Sequence, residues 1–368
     1  MKNLIRRAAD PVNVPSQGSP DFIEGFVDAE QLRTFLTQCF TGAGLKKPHA
    51  DAVVDQLVVA NLRGVDTHGV ILTARYINAI KSGEINTDPK IRRLKVNVAS
   101  EILDGDYGAG QYVAMRATKD AIALASRNGI GSVWVVNMSH VAMLAQFGIM
   151  IADRKMAGLL FTNSNAGVAP LGGREKVFGT NPLCYSFPYA KFPIVFDGAT
   201  SGAAGMKIEL YRMQGKQLPE GWAVDSEGRP TTDPSNVSAL LPFGGHKGYA
   251  LMFMVEMFSS ALSGGMLSRE LKYKNSQGGL YVQAIDIKHN RSYKDYAADL
   301  DRLAGMVKAS APPGGAGKVY LPGEIEFLTS ELRKTEGIPV LKETWKSLVS
   351  IASGYGIDLP KLRIAKGE

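Results

Sequence analysis

Four short motifs hold the residues with chemistry to offer. In Arg63-Gly64-Val65-Asp66-Thr67-His68-Gly69 an imidazole is bracketed by two glycines. That predicts a sharply turned segment able to present His68 to a cleft. Imidazole titrates near ~6.5, so it can serve as general acid or base at neutral pH. A histidine in such a turn can equally be held by hydrogen bonds for structure alone. Asn137-Met138-Ser139-His140 puts a second imidazole at the end of an apolar run, and Asp197 heads Asp197-Gly198-Ala199-Thr200-Ser201 at the end of another. A carboxylate there can fix the tautomer of an imidazole and stabilise its cation, or it can cap the helix that follows. In Gly244-Gly245-His246-Lys247-Gly248-Tyr249 a lysine opens a helix. Its charge adds to the positive end of the helix dipole, which suits an anion.

The chain is organised around residues 162–201, a loop-rich stretch between two apolar runs. Gly172-Gly173 and Gly179-Thr180-Asn181-Pro182 allow backbone to approach a ligand closely, because glycine has no Cβ. Thr162-Asn163-Ser164 and the Asp197 motif set polar groups at the flanking strand ends, where sites are commonly built. An ordinary long connection between two strands would carry similar turn residues.

At 368 residues the chain is long enough for two or three domains. Hydrophobic content of 45% and charge of 21% are those of a globular protein. The net charge of +7 comes from scattered Lys and Arg. It argues against nucleic acid and suits a small anionic ligand. No apolar run is long enough to span a membrane, and the N-terminus has no apolar signal core. Cys39 and Cys184 fall in apolar patterns and read as buried thiols in a reducing, cytoplasmic setting. His289 reads as exposed, and His49 as a surface residue. No ligand spacing of the HxH, HExxH or Cys/His kind supports a metal hydrolase built on His68, His140 and Asp197.

The elements that must position these residues follow from periodicity. Residues 1–21 read as a flexible arm. Asp28 N-caps a helix to Phe40, a second helix follows Pro48, and a third carries Ile71, Tyr76 and Ile80 to Gly83. Residues 96–103 read as strand, 104–106 as turn, 111–127 as helix, 129–137 as turn and strand, 141–155 as helix and 158–161 as strand. A helix is predicted near 206–211 and another, apolar on nearly all sides and hence buried, over 246–262. Strand 278–287 and helices 293–307, 324–334 and 340–351 complete the chain. Strands and helices mix without strict alternation, which predicts an α+β fold. No GxGxxG stands between a strand and a helix. The glycines of 314–317 lack the P-loop spacing and read as a surface loop.

The Gly179-Thr180-Asn181-Pro182 loop, a short strand and then Asp197-Gly198-Ala199-Thr200-Ser201 resemble the signature of the type 2 malate/L-lactate dehydrogenases. That family includes ureidoglycolate, sulfolactate and diketogulonate enzymes and cyclic-imine reductases. The His68 motif, the His246-Lys247 motif and Leu321-Pro322-Gly323-Glu324 support the resemblance in the expected order, from about Phe26 onward. It implies a non-Rossmann nicotinamide-binding domain with a largely antiparallel sheet (91–294), and a helical domain from both chain ends (22–90 and 295–368). It implies a homodimer using NAD or NADP. The catalytic residues would be His68 as general acid/base, Asp197 and His140. The cofactor would lie on Asn163, Ser164, Gly179, Pro182, Gly198, Ala199, Thr200, Ser201, His246, Lys247, Gly248, Gly323 and Glu324. The substrate would meet Arg75, Thr180 and Asn181. Many members carry Arg four residues after the motif histidine; here that position is Leu72, and Arg75, Arg63 or Lys207 would have to grip the substrate carboxylate. The residues following His140 also depart from the family pattern. The expected activity is a 2-hydroxyacid dehydrogenase; a cyclic imino-acid reductase and a non-catalytic ligand-binding relative are the alternatives.

Overall fold

A computed structural model describes residues 22–272, 276–312 and 317–364. The arm 1–21 and the glycine loop at 314–316 lie outside the described residues. The chain divides into two compact units. The first comprises 1–83, 188–194 and 287–368, and the second 84–187 and 195–286.

The first unit opens with strand Ile23–Val27, which pairs antiparallel with both Ile338–Leu341 and Leu362–Arg363. The chain ends therefore carry a three-stranded sheet as well as helices, where periodicity had shown helices alone. The sheet was missed because its strands are short, from five residues down to two. Helix Ala29–Gly42 starts where Asp28 accepts hydrogen bonds from the backbone N–H groups of Glu30 and Gln31. That satisfies two of the amide donors a helix start leaves open. Leu32, Phe35, Leu36, Cys39 and Phe40 form its buried face, and burial pushes the Cys39 thiol up to about 12. Helix Lys47–Leu62 follows, with Pro48 in its first turn. His49 is buried on this helix, a correction to the surface reading. It lies on the same apolar face as Val53 and Leu57, so burial follows the helix period rather than the polarity of the residue. Two short 3-10 turns, Asp66–His68 and Val70–Leu72, lead into helix Thr73–Lys81.

The second unit is built on a seven-stranded sheet. We number its strands β1 (Arg92–Val96), β2 (Ser100–Gly108), β3 (Ile130–Ser139), β4 (Met156–Thr162), β5 (Leu183–Phe187), β6 (Ile194–Gly198) and β7 (Ser276–Asp286). Their order is β1-β2-β3-β7-β4-β5-β6. Only β2 and β3 are seen to run parallel; β1–β2, β3–β7, β4–β7 and β4–β5 are antiparallel. The parallel pair needs a crossover, supplied by helix Gly110–Asn128. Residues 104–106, expected as a turn, lie inside β2. The register slips between Asp104 and Gly108, and Asp106 and Tyr107 take positive φ of 49° and 54°, so the turn residues form a bulge instead.

Two helix boundaries also shift. The helix expected over 141–155 begins only at Ala145, because Ala142 sits at φ 62°, outside the right-handed helical region. The helix from His246 ends as an α-helix at Glu256 and continues as a π-helical turn, Met257–Ala261. It is not buried all round: Phe253 and Met257 are exposed within this unit.

Candidate active site

The candidate residues fall into clusters inside each unit. In the first unit, His68 closes the 3-10 turn Asp66–His68. What fixes that turn is a set of hydrogen bonds, some from Asn61 nearby and some from Arg333 far along the chain. Asn61 Nδ2 donates to Asp66 Oδ1 (2.5 Å), and Asn61 Oδ1 accepts from Val70 N (2.7 Å). Arg333 donates through both terminal nitrogens to the two oxygens of Asp66, at 2.6 and 3.0 Å. It also donates to the carbonyl of Asn61. Gly69 passes so close to the Asn61 carboxamide that a Cβ there would collide with it, which is why the motif ends in glycine.

The Thr67 hydroxyl lies 3.1 Å from His68 Nδ1 and orients the ring. Burial, together with the charge of Arg75, lowers the His68 pKa to about 4. His68 is therefore a neutral imidazole at pH 7, able to accept a proton. Leu72 is 2% exposed and belongs to the core, so that position presents nothing to a ligand. Arg75, one turn further on, is half-buried and acts electrostatically on His68. Gly323 and Glu324 also lie in this unit. Glu324 starts helix Glu324–Glu336 and its carboxylate accepts from Leu321 N (2.9 Å) and from Lys308, so it serves the helix start.

In the second unit the predicted segments interlock. Gly179 lies against Ser164, leaving no room for a Cβ. Thr180 N donates to Ser164 Oγ (3.2 Å), while Thr200 donates through its N–H to Thr180 O (2.9 Å) and through Oγ1 to Asn181 O (2.9 Å). Phe243 N donates to Thr200 O (3.0 Å), which carries the connection to the start of helix His246–Glu256. Pro182 O accepts from Thr162 N, and Ser201 Oγ donates to Ala203 O (2.7 Å). Ser164, Thr180, Gly198 and Ala199 stay half-buried, and His246 and Lys247 are exposed. Gly244 and Gly245 take φ of 57° and 63°, and no side chain caps the helix they precede. Gly248 lies tight against the carbonyl of Phe243. The helix start thus offers uncapped N–H groups beside the exposed His246 and Lys247, which suits a phosphate.

Asn163 and Asn181 are both 0% exposed, so the structure withdraws their side chains from direct ligand contact. Asn163 Nδ2 donates to Glu256 Oε1 (3.2 Å), and Asn181 Nδ2 to Glu256 Oε2 (2.7 Å). Ser268 completes the shell through its N–H (2.6 Å) and hydroxyl (2.7 Å). The sequence reading missed Glu256 and Ser268. The available signal was a lone carboxylate inside the apolar run from Leu251 to Phe258.

His140 ends just beyond β3, half-buried, with its carbonyl accepting from Gln111 Nε2 (3.1 Å). Asp197 Oδ2 accepts from Ala145 N (2.8 Å) at the start of helix Ala145–Ala152. Its capping role is thus on a helix earlier in the chain, rather than on the one that follows. The bond ties the Asp197 motif to the segment after His140. His289 is exposed. Among the described residues no group of three or more His, Cys, Asp or Glu is placed to hold a metal ion, and no helix is long and apolar enough to cross a membrane.

Comparison with known proteins agrees with these motifs. A family model described as malate/L-lactate dehydrogenase matches residues 27–349. A malate dehydrogenase of Pyrococcus horikoshii is 36% identical over 357 residues, spanning 92% of this chain and 99% of that protein. A ureidoglycolate dehydrogenase (NAD(+)) of Escherichia coli is 32% identical, over 89% of this chain and 95% of that one. The crystal structure of malate dehydrogenase from Entamoeba histolytica superposes with a TM-score of 0.86 at 28% identity, covering 91% of this chain and 99% of that chain.

Proposed function

The chain belongs to the malate/L-lactate dehydrogenase family, and on that premise we propose that it is an NAD- or NADP-dependent 2-hydroxyacid dehydrogenase. The observation that carries the reading is His68: a neutral imidazole, held in the family motif and placed within electrostatic reach of a cation. When bound, the nicotinamide cofactor would take up or return the hydride of the substrate C2. The chain's own residues handle the proton and the charge. In oxidation, His68 accepts the hydroxyl proton as the C–H hydride departs, leaving a 2-oxo acid. In reduction, the protonated ring returns it. Arg75 is suited to hold the substrate carboxylate, since Leu72 is sealed in the core. A carboxylate on Arg75 also offsets the positive charge that depresses the His68 pKa.

Ser164, Thr180, Gly198, Ala199 and the helix start at His246-Lys247 fit a dinucleotide. Glycines allow backbone approach there, and the uncapped amides suit its phosphates. Asp197 and His140 are assigned to the reaction on segments that the Asp197–Ala145 hydrogen bond ties together. The exposed side chains of Phe253, Met257 and Leu262 support self-association as a homodimer, and the two buried free cysteines suit the cytoplasm.

The test is a spectrophotometric panel. Purified protein with NADH or NADPH is offered oxaloacetate, pyruvate, sulfopyruvate, a branched 2-oxo acid and piperideine-2-carboxylate. Loss of reduced-cofactor absorbance with an open-chain acid, abolished in His68→Ala, supports the proposal. Turnover of the cyclic imine alone assigns the chain to imine reduction. Silence throughout, with cofactor binding retained, makes it a non-catalytic relative.

A further inference from the structure

Glu256 is 6% exposed and accepts from four donors: the side chains of Asn163, Asn181 and Ser268 and the backbone N–H of Ser268. Each donor is a neutral group, and together they occupy both carboxylate oxygens. A charge removed from water at such a place is costly unless its hydrogen bonds are made in full. The three side-chain donors come from different segments. Asn163 follows β4, Asn181 sits in the Gly179–Pro182 loop, and Ser268 lies beyond the π-helical turn. Asn163 in turn accepts from Gly279 N (2.9 Å) on β7 and donates to Met266 O (3.1 Å).

Asn181 is held in the left-handed region at φ 41°, an uncommon state for a residue with a side chain. Its Nδ2 also donates to Met252 O (3.2 Å), one turn before Glu256 on the same helix. The loop conformation that places Thr180 against Ser164 and Thr200 is therefore fastened from beneath by the helix that begins at His246-Lys247.

We propose that Glu256 is a positioning residue for the cofactor. Its carboxylate locks the 179–182 loop, the 162–164 strand end and the His246–Glu256 helix into one rigid cradle. This rests on the reading that the second unit binds a nicotinamide cofactor. Glu256 touches no ligand. It acts by making the half-buried Ser164 and Thr180 and the helix start arrive together, already ordered, so that binding does not have to order them.

Glu256→Gln keeps the shape but turns an amide NH2 toward the donors that the carboxylate accepted. The expected result is a rise of about tenfold in the Kd for NADH or NADPH, measured by nucleotide fluorescence. The KM of the acid substrate at saturating cofactor should stay within about twofold, since a positioning effect on one ligand is a selective loss of uniform binding. The double variant Asn181→Asp/Glu256→Gln exchanges donor and acceptor across the 2.7 Å contact and should recover part of the cofactor affinity, the remainder staying lost with the bond to Met252 O. Should Glu256→Gln fail to fold, Ser268→Ala removes one donor only and should show a smaller shift in the same direction. A folded Glu256→Gln with unchanged cofactor Kd overturns the inference while leaving the proposed function standing. Loss of stability without a split between cofactor and substrate constants also overturns it, because it shows a merely structural role. Wild-type protein that binds neither nucleotide sinks the functional reading itself, and the inference with it.

Discussion

Asp66 in the first unit, half-buried, and Glu256 in the second, buried, are two carboxylates that do similar work by different means. Each is bonded to the carboxamide of asparagine, and each holds a turn that bears functional groups. Asp66 is paired with a cation, the forked guanidinium of Arg333, and also accepts from Asn61, five residues before it. Glu256 is surrounded by neutral donors from segments as much as 93 residues away. The difference shows two ways to keep an anion out of water. One neutralises it with the fork of a single cation, brought from 267 residues away. The other saturates it with hydrogen bonds, and that device needs several distant loops to be in place at once.

The sharpest way to test the first region is to remove what it presents. His68→Ala should lower kcat/KM by a factor of about 10² to 10⁴, the usual contribution of a general acid or base. The Kd for cofactor should be unchanged. If turnover survives, proton transfer belongs to another group, with His140 the next to test. A smaller effect follows from breaking the support beneath it. Arg333→Met leaves Asp66 with Asn61 but without its fork, and a half-buried pair of this kind should cost about 2–3 kcal/mol in urea unfolding. A loss near zero would mean that the pair behaves like a surface ion pair, and the contrast with Glu256 would collapse.

The same contrast explains what could be read from the sequence. The His68 turn was legible because its determinants are local: glycines at 64 and 69, Asp66 between them, and a helix that stops on time. Only Arg333, supplied from the far end of the chain, was missing from it. The motif segments of the second unit were legible as motifs, but their internal roles were not. Asn163 and Asn181 read as ligand-facing because polar residues in a glycine-rich loop usually are. Their burial depends on Glu256, which the apolar period of its helix concealed. Residues 96–103 read as strand, but the bulged second half of β2 reads as a turn, for a related reason. Asp104-Gly105-Asp106 has turn composition, and only pairing with β1 and β3 on either side keeps it in the sheet.

The finest discrimination comes from pH. The His68 imidazole has a folded pKa of about 4, below the ordinary value of 6.5, because burial and Arg75 disfavour its cation. As pH falls from 6.5 toward 4, the unfolded chain binds a proton that the folded chain does not. Stability is therefore lost across that window, with a slope approaching ~1.4 kcal/mol per pH unit for one proton, and the loss levels off below it. Above 6.5 the ring is neutral in both states and contributes no slope. Comparing wild type with His68→Asn by urea unfolding at pH 4.5, 5.5 and 6.5 isolates this term, because asparagine does not titrate. The variant should lose less stability on acidification by that slope. Arg75→Met should fall between the two, since removing the cation lets the ring protonate at higher pH and narrows the window. The kinetic counterpart has the same sign: kcat/KM for oxidation should stay level from pH 8 down to about 5, where an ordinary histidine base would already be titrated. A break near 6.5 in kcat/KM, or no difference in slope between wild type and His68→Asn across pH 6.5 to 4 in unfolding, would show that the imidazole is solvated and that Arg75 does not govern it.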